Sequence, residues 1–339
     1  MKMSPYHLAA LAVVAVDGLN AVSIRGPYSS SLDFVFGGVL DSRGRHWIVK
    51  VPRSVHASTV IEAEAGLAPV LVDRLRHGKL PFDVMRPAGF APVDTGRAIV
   101  YPRPIGETID FDGLSVDEAH ELGRTLATIH QLDSATITDA GMPAYDSEMV
   151  RKRLLTELHD ADATGNVPAI LARRWDNAIE SPELWNFLPS VVHGDIASDN
   201  VLWSNGQVSC VLGFGEAHVG DPAVDFASLM SGISESLFDA IMESYRNSLI
   251  GDVDEHFFTR TVLLSEIALA RWMMFGIRNN DQQIVADAVN MMNELATDVA
   301  ADPDLAPGPV WKVDTVDDDF VAGDASDAGF RAGEDGEER

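Results

Sequence analysis

Apolar residues recur at helical spacing at Leu8, Leu11, Ala12 and Ala15, and predict a short helix within residues 6–19. Residues 26–31 form a polar stretch rich in turn formers. Residues 32–40 alternate loosely, a turn signal occupies 41–45, and 46–51 form a β-rich run, which together predict two strands joined by a short turn. Residues 59–75 read as a helix with Ser58 as N-cap, carrying Glu64, Leu67, Leu71 and Leu75 along one side. Residues 81–92 are irregular with short strands, and 97–101 form another strand, stopped by Pro102 and Pro104.

Beyond that stop the period changes from strand to helix. Ser115 and Glu118 spell a capping box, and the helix it opens runs to His130. Further helices are predicted at 147–158, 169–178, 255–277 and 281–299. Between them, residues 201–203 and 208–212 flank a Ser204-Asn205-Gly206 turn and read as a hairpin. The order is a strand-rich first part and a helical second part. It predicts an α+β chain of two lobes, with residues 1–102 as the first, 103–300 as the second and 301–339 as an acidic tail expected to be disordered.

At 339 residues the chain has room for two core-bearing units. A single cysteine, Cys210, excludes an internal disulfide, fits a reducing cytoplasmic compartment and, within an apolar run, predicts a buried inert thiol. No run approaches the roughly 20 apolar residues that span a bilayer, so no membrane partner is expected. Residues 8–16 are apolar but lack a cleavage site and read as a helix rather than a signal peptide. The net charge of −27 argues against nucleic acid as a partner. From Asp302 onward there are twelve acids and three bases, so the tail alone carries −9.

Residues 193–200 read His-Gly-Asp-Ile-Ala-Ser-Asp-Asn. An Asp followed five residues later by an Asn is the spacing of a phosphoryl-transfer catalytic loop, in which the Asp accepts a hydroxyl proton and the Asn offers an amide oxygen to Mg²⁺. Downstream, Gly220-Asp221-Pro222-Ala223-Val224-Asp225 completes a second motif, in which Asp221 reads as a structural acid in the turn before Pro222 and Asp225 as the cap of a helix beginning near Phe226. Together these segments resemble the aminoglycoside and macrolide phosphotransferase family. Residues 216–222, and 272–276 with Asn279-Asn280-Asp281, are most similar to its macrolide 2′-phosphotransferase branch.

The resemblance, over about residues 15–298, implies a two-lobed protein-kinase-like fold and a monomeric enzyme using GTP or ATP with Mg²⁺. It implies Asp195 as catalytic base and Asn200 as metal ligand. Lys50 would hold the α- and β-phosphates, paired with an acid on the next helix, Glu64 or alternatively Glu62. No GxGxxG precedes Lys50; Ser29, Ser30 and Ser31 are candidates to cover the phosphates instead. Ile99, Tyr101 and Arg103 match the hinge that meets a purine base through its backbone.

One position departs from the pattern. The family segment apolar-apolar-Asp-aromatic is here Val211-Leu212-Gly213-Phe214, so the metal-bridging carboxylate is replaced by Gly213. Loss of that charge predicts a rate lower by about 10³-fold or more unless another acid, such as Glu216, reaches in. Glu266 and Asp281 are candidates to meet a substrate ammonium. Trp272, Met273 and Phe275 could line a wall for a large apolar substrate, or form ordinary helix core. The implied activity is phosphorylation of a small molecule, a macrolide sugar 2′-hydroxyl above all, as in antibiotic resistance. The alternatives are a catalytically inactive, ligand-binding pseudokinase and a kinase for another hydroxylated metabolite.

Overall fold

A computed structural model describes residues 3–230 and 232–302, with backbone alone for 26–30. The acidic tail beyond 302 lies outside the described residues. The strands are β1 (Ala21–Ser30), β2 (Phe34–Asp41), β3 (His46–Pro52), β4 (Asp83–Val84), β5 (Gly89–Val93), β6 (Gly96–Pro102), β7 (Glu107–Thr108), β8 (Ser190–Val192), β9 (Val201–Ser204), β10 (Gln207–Val211) and β11 (His218–Gly220). The helices are α1 (Pro5–Ala15), α2 (Val55–Arg76), α3 (Val116–His130), α4 (Ala135–Thr138), α5 (Ser147–Asp162), α6 (Ala169–Glu180), α7 (Ala223–Met230), α8 (Glu235–Ser248), α9 (Phe257–Asn279) and α10 (Gln282–Ala301).

The described residues form two compact units, 3–61 with 87–103, and 62–86 with 104–302. Residues 62–86, placed with the first lobe by the sequence pattern, group with the helical unit; the seam runs through α2.

The first unit is an antiparallel sheet in the order β1-β2-β3-β6-β5 with α1 packed against it. Alternation along the strands sorts its two faces. Val39, Trp47, Val49, Val51, Ala98 and Val100 enclose Leu8, Ala12 and Val16 of α1 in one apolar cluster. The intervening residues Phe34, Phe36, Ile48, Lys50, Ile99 and Tyr101 fall on the other face by the same alternation. Residues 26–30 continue β1 instead of turning. A register shift between Arg25 and Tyr28 absorbs Gly26-Pro27, and the turn moves to residues 31–33.

Helix α2 starts earlier than its pattern suggests. Ser54, not Ser58, caps it, accepting from the Ala57 N–H at 3.0 Å. Among the described residues it is the one helix long and apolar enough to cross a bilayer, with a mean hydropathy of 1.2, so a sequence scan for apolar runs alone overlooks it. Its burial of Glu64 and its packing of Leu67 and Leu71 into the core are those of an interior helix.

In the second unit α3 packs on α8, and α9 packs on both α7 and α10. The capping box at Ser115 and Glu118 is formed. Strands β9 and β10 make the expected hairpin, with Asn205 and Gly206 both at positive φ (54° and 74°). Cys210 is fully buried in β10, and burial pushes its thiol up to about 12, leaving it inert.

One ion cluster ties the second motif to α9. Arg260, fully buried, donates to both carboxylate oxygens of Asp221 at 2.7 and 3.2 Å and to both of Asp254 at 2.7 and 2.9 Å. Its guanidinium lies 4.5 Å over the Phe187 ring. Removing one partner of such a group strands the other charge in the interior. Arg260→Met is therefore expected to lower unfolding stability by about 3–5 kcal/mol in denaturant titration, and adding Asp221→Asn to restore much of the loss. A neutral Arg260→Met would contradict this assignment.

Candidate active site

The loop of residues 193–200 leaves β8, which pairs with β11 in the register His218↔Val192, and re-enters the fold at β9. Ile196 is buried beneath it and fixes its middle. Asp225, in the first turn of α7, holds its start. This wholly buried carboxylate accepts from the backbone N–H of His193 at 2.8 Å and of Gly194 at 2.7 Å. It also accepts from His130 Nε2 at 3.0 Å, while His130 Nδ1 lies 2.8 Å from the Tyr245 hydroxyl.

Burial alone would push the Asp225 carboxyl up. Hydrogen bonding and positive potential from His130, with the backbone donors, bring it below the ordinary range instead. Burial, with Asp225 nearby, pushes the Tyr245 hydroxyl up. The sequence pattern makes Asp225 the cap of a helix beginning near residue 226. The helix instead begins at Ala223, whose N–H is accepted by Asp221 at 3.0 Å.

Gly194 is at φ +83°, and a Cβ there would fall 2.5 Å from the Glu216 carbonyl oxygen, so the loop requires glycine. His193 braces the turn. Its Nε2 meets the Leu212 carbonyl at 2.7 Å, its Nδ1 accepts from the Asp195 N–H at 3.2 Å, and its ring lies 4.5 Å from that of Phe214.

Asp195 projects from this frame with an exposed side chain. Asn200 Nδ2 donates to its carbonyl at 2.8 Å and to Oδ2 at 3.1 Å. The surrounding protein desolvates the carboxyl and raises its pKa, and Asp199 and Glu216 add like charge. His193 and the Asn200 hydrogen bond pull the other way without cancelling the rise.

Gly213 sits at φ +81° directly against Asn200. A Cβ built on it would lie 2.7 Å from Cγ, Oδ1 and Nδ2 of that amide. The Asn200 side chain thus occupies the space into which a residue-213 side chain would project. The Gly213 N–H donates to Glu64 Oε1 at 3.2 Å, which places the buried Glu64 beside Gly213; Glu62 is exposed. Among the described residues no three His, Cys, Asp or Glu side chains gather to hold a metal ion.

Lys50 belongs to the first unit. It pairs in register with Phe36 and Ile99, and its side chain is buried. The side chains of Ser29 and Ser30 lie outside the described residues. The Ser31 hydroxyl accepts from the Phe34 N–H at 3.0 Å and closes the β1–β2 turn, so it is engaged locally. Ile99 pairs on both sides, with Lys50 and Phe90, which commits its backbone to the sheet. Tyr101 pairs on one side, with Ile48, and the Arg103 N–H donates to the His46 carbonyl at 2.9 Å.

The candidate substrate residues divide. Glu266 is fully buried, its carboxylate bound by Arg174 at 3.0–3.1 Å and by the Trp175 indole at 2.9 Å, so it is an interior ion pair and does not face a ligand. Met273 is fully buried core. Asp281 caps α10, accepting from the Gln283 and Ile284 N–H groups. Trp272, 36% exposed, stacks on Phe275 with centroids 5.4 Å apart and planes 8° from parallel, leaving an open aromatic face on α9.

Comparison with known proteins gives a consistent result. Residues 38–256 match the phosphotransferase enzyme family (APH). The uncharacterized protein YcbJ of Bacillus subtilis (strain 168) is 23% identical over 227 residues, which is 64% of this chain and 72% of that protein. The apoenzyme of the macrolide 2′-phosphotransferase MphH from Brachybacterium faecium superposes with a TM-score of 0.68 at 19% identity, covering 81% of this chain and 94% of that one. The GDP complex of aminoglycoside 2′-phosphotransferase-IIIa gives 0.66 at 19% identity, over 82% and 94% of the two chains. At these identities the structures establish a shared kinase-like fold.

If Asp225 sets the loop, replacing it by an isosteric amide should disturb the loop while leaving the volume unchanged. Asp225→Asn is expected to speed hydrogen exchange at the His193 and Gly194 amides by at least about tenfold and to lower the thermal midpoint by several degrees. Unchanged protection of those two amides would contradict the assignment.

Proposed function

Because the chain belongs to the phosphotransferase enzyme family, we propose that it transfers the γ-phosphoryl group of a purine nucleotide to a hydroxyl of a small molecule, with a macrolide sugar 2′-hydroxyl as the leading acceptor. The observation that carries this reading is Asp195. It is exposed at the apex of a loop whose backbone is fixed from below by Asp225, and one of its oxygens is oriented by Asn200.

In this reading the acceptor hydroxyl gives its proton to Asp195 as its oxygen bonds to the γ-phosphorus. The bond from that phosphorus to the β-phosphate oxygen breaks, and the nucleoside diphosphate leaves. Lys50 holds the phosphates. Of the hinge segment, Tyr101 meets the base, since the Ile99 backbone is held by its neighbours in the sheet and the Arg103 N–H by His46. The GDP-bound relative supports use of a guanine nucleotide, and the chemistry of the hinge admits ATP as well. The open Trp272–Phe275 face offers an apolar acceptor a surface to lie on.

The metal expected in this family tests poorly against the donors present. Asn200 brings one amide oxygen, and at 213 a carboxylate is replaced by a glycine. These residues do not make up a Mg²⁺ site. The same departure favours a second reading, a nucleotide-binding protein with little or no turnover; a kinase for another hydroxylated metabolite shares the first reading's chemistry with a different acceptor.

The test is transfer of labelled phosphate from GTP and ATP to a panel of macrolides, aminoglycosides and other polyhydroxylated compounds. Asp195→Asn is expected to lower kcat by about 10²–10⁴-fold with nucleotide affinity retained. Only the ionised carboxylate accepts the proton, and its surroundings favour the neutral acid. Wild-type kcat/KM should therefore rise with pH through an inflection above the ordinary aspartate range. No transfer to any acceptor, with nucleotide still bound, would select the non-catalytic reading. Transfer unaffected by Asp195→Asn would remove Asp195 from the chemistry.

A further inference from the structure

Strand β2 carries two phenylalanines, Phe34 and Phe36, on the sheet face opposite the α1 core. Neither belongs to the apolar cluster that Val39 of the same strand enters, and both remain half-buried. Packing against α1 therefore does not explain two adjacent aromatic positions. Their rings lie 6.1 Å apart, tilted by 58°, and converge on a single group. The Lys50 ammonium lies 4.3 Å from the centroid of Phe34 and 5.9 Å from that of Phe36. The register explains the convergence, since Phe36 stands directly opposite Lys50 across the β2–β3 ladder and Phe34 is one pleat away.

Lys50 is 7% exposed. An ammonium so far from water needs compensation for lost hydration, and ring faces supply it through their quadrupoles. A ring face attracts the charge without accepting a directed hydrogen bond, so it orients the ammonium without displacing oxygen acceptors that approach from other sides. The turn above it contains no GxGxxG to cradle an anion.

We propose that Phe34 and Phe36 are positioning residues for Lys50: their ring faces hold its ammonium where nucleotide phosphates meet it, so that aromatic character on β2 sets nucleotide affinity. The proposal rests on the reading of Lys50 as a phosphate-binding group. It places the effect on the phosphates alone and not on the base.

The experiment measures GTP and guanosine binding by calorimetry to wild-type protein and to Phe34→Leu, Phe34→Tyr, Phe36→Leu and Lys50→Met, each checked for folding by circular dichroism. Phe34→Met serves if Phe34→Leu fails to fold. Phe34→Leu is expected to weaken GTP about three- to tenfold, with Phe36→Leu smaller, and Phe34→Tyr, which keeps the ring, to stay within about twofold of wild type. Guanosine affinity should not change in any of them. Weakening of guanosine equal to that of GTP would make Phe34 a packing residue and overturn the proposal. So would an unchanged GTP affinity in Phe34→Leu alongside a weakened one in Lys50→Met. A Lys50→Met variant that binds GTP like wild type, or a wild type that binds no GTP, would instead overturn the underlying reading of Lys50.

Discussion

A single buried carboxylate organises the helical unit's chemistry. Asp225 has no route to solvent, so its charge persists only because three donors surround it: two consecutive backbone N–H groups of the loop and the His130 imidazole. The dependence is mutual. The loop cannot shift without stranding the charge, and the charge cannot move without freeing the loop. Through His130 and Tyr245 the same group reaches α3 and α8, the helices whose packing forms much of the core. Asp221 does comparable work four residues earlier, joining the entry of α7 to Arg260 of α9. The exposed carboxylate at 195 is thus presented by a frame fixed at several buried points.

What that frame presents is unusual in one respect. At position 213 the backbone adopts a left-handed conformation with no side chain, and the Asn200 amide lies in the adjoining space, donating to Asp195. The half of the loop proposed to accept a proton, Asp195, is held in place by Asn200 and the frame beneath it. The half proposed to neutralise charge offers one amide oxygen, with Glu64 bound to the Gly213 N–H close by. An aspartate would be tolerated at this φ better than most residues, and it would meet only the movable end of Asn200. A carboxylate at 213 would therefore require the Asn200 amide to move.

Much of the fold was legible because its signals are local and periodic. The β-rich run at 46–51, the capping box at Ser115 and the Asn205-Gly206 turn each specify their element from within a few residues. The loop was legible because its chemistry fixes residue types at fixed spacing. What escaped the sequence was decided at a distance. Asp225 looks like a helix cap because caps are common at such positions, whereas its partners lie 31, 32 and 95 residues away. Glu266 looks like a ligand for a substrate ammonium because an acid on an apolar helix is conspicuous, yet Arg174 and Trp175 consume it. The polar residues 26–30 look like a turn, but a bulge at Gly26-Pro27 lets them extend β1. The Phe-Val-Phe run of β2 is plain in the sequence, but its convergence on Lys50 depends on the ladder register.

A loop that offers Asp195 as proton acceptor but an incomplete donor set for a divalent ion, as proposed, should bind nucleotide without help from Mg²⁺. The most direct measurement is GTP affinity with Mg²⁺ present and with EDTA, in the wild type and in Gly213→Asp. The same affinity is expected under both conditions for the wild type, with a gain of Mg²⁺ dependence when the carboxylate is restored. Wild-type binding that collapses without Mg²⁺ would contradict it.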